Sequence, residues 1–170
     1  MTALATALLF AAPAQAYLTI GESADVTPSG TLKIGIEPQI RLSEGSGANM
    51  SVFLDGGIND EMSWRGQLGA GETDLSLGAS IKWVPYPDTE TQPAVGLRGD
   101  VFVGRESNET FTTFRVAPMA SKQMQTDYVL FSPYLALPIG MAGVRGKTET
   151  LAQLAIGSDI HIDEWKNAMF

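Results

Sequence analysis

Nine charged residues stand at alternate positions inside otherwise apolar runs: Lys33, Glu37, Arg41, Asp55, Arg65, Lys82, Arg98, Asp100 and Arg115. Two kinds of chemistry are open to a mixed-sign set of this kind. Paired as Arg or Lys with Glu or Asp across neighbouring strands, these side chains fill an interior and hold it rigid. Left unpaired, they line a narrow aqueous path and set its selectivity. Catalysis needs a nucleophile, a base and an orienting group, and the chain has one histidine, His161. It shares a parity with Asp159 and could meet a strand serine such as Ser132, whereas Ser158 is on the opposite parity. A hydrogen-bonded structural histidine is the expectation, with no catalytic set and no cofactor. The acidic loop residues Asp60, Glu61, Glu72 and Asp74 lack the Asp-x-Asp ladder of a calcium loop, so no metal site is expected. "GSGAN" and "GAGETD" lack the Lys-Ser/Thr of a phosphate loop and read as turns.

The elements that carry these residues follow from a period of two. In "TLKIGIEPQIRL" (31–42), Leu32, Ile34, Ile36 and Ile40 oppose Lys33, Gly35, Glu37, Gln39 and Arg41. In "TDLSLGASIKW" (73–83), Leu75, Leu77, Ala79, Ile81 and Trp83 oppose Asp74, Ser76, Gly78, Ser80 and Lys82. Successive strand side chains point to opposite faces, so such alternation places one face against something apolar and the other against something wet. The same pattern marks segments near 48–56, 61–71, 94–105, 112–122 and 151–162. The uncharged stretch 128–144 is too short, and too rich in Pro and Gly, for a membrane helix; it reads as extended, and residues 128–140 are the eighth strand. Connectors such as "GIND", "PYPDTETQP", "KQMQT" and "GVRGKTET" carry turn residues. An all-β, antiparallel up-and-down meander of about eight strands is expected.

Bulk composition narrows the partners. With 11 basic against 19 acidic residues, the chain lacks the clustered cations that nucleic acid requires. Having no cysteine, it can form neither disulfides nor thiolate metal sites. Residues 1–16, "MTALATALLFAAPAQA", hold an apolar run and an Ala-x-Ala pattern, the signature of an export signal, which leaves 17–170 as a single domain. The basic start of such a signal is missing. At the other end, either 151–162 is the last strand with a tail behind it, or "NAMF" begins a further strand; the chain reads as truncated, with ten or more strands in the whole.

Strands of 9 to 12 residues have the length that a tilted strand needs to cross a bilayer. A charged face of this density is foreign to the inside of a soluble barrel. In these segments the chain resembles the small bacterial outer-membrane β-barrel proteins. The resemblance implies a transmembrane barrel in the outer membrane, its partner the lipid bilayer. Leu32, Ile34, Ile36, Leu75, Leu77 and Ile81 would face lipid, and the nine charged residues would line the lumen. Trp64, Trp83, Tyr86 and Phe114, read as close to turns, would form girdles at the headgroups. Eight strands leave an interior just filled by side chains, which favours a plugged structural or surface-interacting barrel over narrow passage of small solutes. Further strands would reverse that preference. The alternative is a secreted, soluble, lipocalin-like barrel that binds an apolar ligand, its aliphatic parity turned inward. An outer-membrane lipid enzyme using His161 is the third reading.

Overall fold

The computed structural model describes residues 21–41, 47–71, 74–106, 109–125, 129–144 and 146–162. Among these there are strands and no helix. β1 (Leu32–Arg41), β2 (Gly47–Gly57), β3 (Met62–Gly71), β4 (Leu75–Tyr86), β5 (Ala94–Glu106) and β6 (Glu109–Ser121) form a meander in which each strand pairs antiparallel with the next. A two-residue β7 (Met124–Gln125) flanks β8 (Val129–Ala136). The rest is one long hairpin with an interruption in each arm: β8 and β9 (Ile139–Val144) on one side, β10 (Lys147–Ala152) and β11 (Ala155–Ile162) on the other. β8 and β9 both pair with β6. With β8–β9 and β10–β11 each taken as one run and the two-residue β7 set aside, these are the eight expected strands.

Prolines explain part of the interruption. Pro138 has no N–H to give to a ladder. The chain steps aside there, with Leu137 N–H donating to Pro118 C=O at 3.0 Å and Gln153 N–H to Pro138 C=O at 2.9 Å. Pro38, Pro118 and Pro133 stand within strands. Two sequence expectations are corrected. "GVRGKTET" is not a connector throughout: β9 runs to Val144 and β10 starts at Lys147, with Gly146 at a positive φ of 73° between them. Phe114, expected near a turn, is mid-strand in β6 and pairs with Val101 and Met141.

The two faces differ in polarity. Burial along β4 alternates strictly from Leu75 to Val84, with Leu75, Leu77, Ile81 and Trp83 outside and Ser76, Gly78, Ser80 and Lys82 inside. Space on the inner face is shared between rings and glycines in register. Phe53 lies over Gly35, Phe102 over Gly78 and Phe111 over Gly104, where any side chain on the glycine would collide with the ring. Such cross-strand pairs let large rings fit a tightly curved inner face.

The expected closed barrel is corrected in one respect. Among the described residues no ladder joins β1 to β10 or β11, and the sheet is open along that seam. Residues 21–28, which are not a strand, link the two edges from inside. Gly21 packs directly on the Glu37 carboxyl of β1, and Ser23 N–H donates to Asp159 Oδ2 of β11 at 3.0 Å. A turn closed by Thr31 N–H to Pro28 C=O (3.0 Å) leads this segment into β1. Gly30 sits at its third position with φ 75°, a conformation that favours glycine.

Candidate functional site

The register of the sheet decides which charges meet. Asp55 and Arg65 are directly opposed across β2 and β3, and Asp100 and Arg115 across β5 and β6. Both pairs close. Arg65 Nε and Nη2 donate to the two Asp55 oxygens at 2.6 and 2.8 Å, and Arg115 Nη2 donates to Asp100 Oδ1 at 2.8 Å. A two-pronged guanidinium–carboxylate contact is among the stronger ion pairs a protein makes. Aromatic faces cover the guanidinium groups: Arg65 lies 4.0 Å from the Phe53 centroid and Arg115 5.0 Å from that of Phe102.

Across β4 and β5 the register opposes Lys82 to Arg98, two cations with 4% and 1% exposure. Like charges facing one another across strands are destabilising, and here they are also removed from water. The compensation comes from residues 21–28. Glu22 Oε1 lies 2.5 Å from Arg98 Nη1, and its Oε2 lies 3.1 Å from Lys82 Nζ and 3.2 Å from Arg65 Nη2. Burial alone would push the Glu22 carboxyl up, but Arg98, Lys82 and Arg65 together hold it down to about 2. The neighbouring backbone is tied as well. Lys82 donates to Ser23 C=O at 2.9 Å, and Ala24 N–H donates to Ser121 Oγ at 3.1 Å. Residues 22–24 thus touch β3, β4, β5, β6 and β11, which places them in the concavity of the sheet.

Most of the expected inner residues come together in this cluster. Asp55, Arg65, Lys82, Arg98, Asp100 and Arg115 are buried, and Glu37 joins through Arg65 at 3.3 Å. Lys33 is exposed at the edge, its ammonium 5.8 Å from the Phe53 ring. Arg41 ends β1, and its side chain lies outside those described. The six aliphatic residues expected on the opposite face are all exposed: Leu32, Ile34, Ile36, Leu75, Leu77 and Ile81. Sequence reasoning missed Glu22. The signal was indirect, since a register that opposes Lys82 to Arg98 calls for an acid from elsewhere in the chain.

Beside residues 21–28 a pocket of about 240 Å³ is lined in part by Glu22, Asp25, Thr27, Lys33, Lys82 and Asp159. Deeper in the sheet, Arg98 Nε, Asp100 Oδ2 and Thr113 Oγ1 are buried with no hydrogen-bonding partner among the described residues. Polar atoms in such positions are ordinarily met by internal water. Of the residues weighed for catalysis, Ser132 is fully buried and opposes Asp159 across β8 and β11, while Ser158 Oγ donates to Asp159 C=O at 3.2 Å. His161 is in β11 with its side chain outside those described. Among the acidic loop residues, Glu61 accepts a hydrogen bond from Trp83 Nε1 at 3.2 Å, and Glu72 lies outside the described residues. Comparison of the chain with protein-family models, curated proteins and solved structures finds no match, so the geometry alone carries the functional reading.

Proposed function

We propose that this chain is an exported protein of the bacterial outer membrane whose strands cross the bilayer. Its aliphatic face would meet lipid and its inner face would be packed with ion pairs. It acts as a structural or surface-interacting element, or as a narrow path for small solutes, and not as a catalyst. One observation carries this reading: the polarity of a water-soluble protein is inverted. Residues such as Ile34 (75% exposed), Ile36 (66%) and Leu77 (61%) stand outside, while the cluster of buried apolar residues packed together is small, Ala24, Val84, Ala94, Ala117, Met119, Ala136 and Ala155. Water-soluble monomers rarely expose continuous apolar surface beyond a few hundred Å², whereas strands in lipid require it. The outer face also bears a shallow apolar trough, floored by Gly66, Ala79 and Gly99 and walled by Trp64, Ile81 and Phe114, a shape suited to an acyl chain. An apolar-ligand carrier needs aliphatic side chains around a dry cavity, and the inner face bears Arg65, Lys82, Arg98 and Arg115 instead.

Hydrocarbon does not tolerate unpaired strand edges. The reading therefore requires the seam between β1 and β10–β11 to be satisfied by strand pairing in the bilayer, within one chain or with a second copy. The test is fractionation of cells that express the full-length chain, with electrophoresis before and after boiling. Recovery in the outer membrane with a migration that shifts on boiling is the expected result. Recovery as a soluble periplasmic protein would overturn it and make an apolar ligand the next object of search.

A further inference from the structure

We propose that Lys82, Arg98 and Arg65 form an internal anion site of carboxylate type, and that Glu22 fills it as a ligand supplied by the chain itself. The sheet creates this site without residues 21–28. β4 and β5 place Lys82 opposite Arg98, and β3 brings the Arg65 Nη2 edge to the same point. Arg65 keeps Asp55 and Glu37 as further partners, and Arg98 keeps Asp100 at 3.4 Å. For Lys82 the contacts given by residues 21–28 are Glu22 Oε2 and Ser23 C=O. Four cations (Arg65, Lys82, Arg98, Arg115) stand against four carboxylates (Glu22, Glu37, Asp55, Asp100) in the network. Glu22 is the one carboxylate of the four that is not on a strand.

The Glu22 side chain takes no part in a ladder, so substitution can remove it with the strand pairing left in place. Its departure uncovers two adjacent cations, and a small carboxylate with two oxygens can bridge them as Glu22 does. This rests on the outer-membrane reading only for which solutes reach the site; the site itself does not depend on it.

The experiment uses the full-length chain, in detergent or in buffer as its solubility dictates. Formate is titrated against chloride at fixed ionic strength while thermal unfolding is followed. In chloride, Glu22→Ala should lower Tm by about 10 °C, and formate should recover most of that loss with a saturating dependence. Glu22→Gln keeps the side chain in place and should show no formate-specific gain, like the wild type. If Glu22→Ala does not fold in chloride, refolding yield is read instead, and formate should raise it several-fold. An equal response to formate in all three proteins, or none in Glu22→Ala by either readout, would overturn the proposal. A formate response in a protein that fractionates as soluble would keep the anion site and reject the membrane reading.

Discussion

Two kinds of charge contact sit side by side inside this sheet. Asp55–Arg65 and Asp100–Arg115 are opposite charges placed face to face by the ladder, each pair made within one hairpin, with Arg65 reaching Glu22 and Glu37 as well. Lys82–Arg98 is a like-charge pair placed just as squarely, and it is completed by an acid 60 residues earlier in the chain from Lys82. The first kind is local and adds rigidity to a hairpin. The second makes the sheet depend on a segment outside it, so removing one residue, Glu22, should disturb three strands together.

The largest expected effect tests that dependence. Glu22→Ala leaves two buried cations without their shared counter-ion and should cost about 3–5 kcal/mol, the range for breaking a buried ion pair. Lys82→Met in the same background should recover part of the loss, which a denaturation series on the two variants would register. Next comes the outer face: Leu77→Arg should cost about 2–4 kcal/mol in a bilayer if Leu77 lies near its midplane, measured by folding into vesicles, but well under 1 kcal/mol if that face is in water. The local pair gives the third effect. A double-mutant cycle on Asp55 and Arg65 should return a coupling of about 1–3 kcal/mol.

Acidity separates the two kinds of contact further. The Glu22 carboxyl is held below its ordinary value, so its contribution to stability is fully present above about 4.5 and is lost as the pH falls toward about 2. Wild-type protein should therefore lose stability over that window more steeply than Glu22→Gln, as acid-unfolding midpoints would report. The smallest effect belongs to the rim. Asp88 is bonded by Lys122 and by the Gln123 N–H, and these contacts outweigh burial and lower its carboxyl below the usual range. Lys122 remains about one-third exposed, so Asp88→Asn should cost no more than about 1 kcal/mol.

The same contrast explains what was legible in the sequence. Period-two alternation exposes strands and their faces directly, and the runs from Leu32 to Ser121 fold as six consecutive antiparallel strands with charged residues on the inner parity. Cross-strand pairs such as Asp55–Arg65 follow once the register is known. Residues 21–28 have no period, and a single glutamate among small and polar residues carries no signal of a long-range partner. Turn-like composition likewise hid β10, because Lys147, Thr148 and Glu149 are held in a strand by pairing with β9 and not by an apolar face of their own. The open seam was illegible too: alternation specifies the faces of a strand and says nothing about what lies along its edge.

The most direct test of the inverted polarity uses the absence of cysteine. Single cysteines placed in turn at 75, 76, 77, 79, 80, 81 and 83 would carry a nitroxide in the full-length protein reconstituted into vesicles. Accessibility to oxygen would be compared with accessibility to a water-soluble nickel complex. Labels at 75, 77, 79, 81 and 83 should be reached by oxygen in preference to nickel, and those at 76 and 80 by neither. Preferential nickel access at the odd positions would put Leu77 and Ile81 in water and contradict the account.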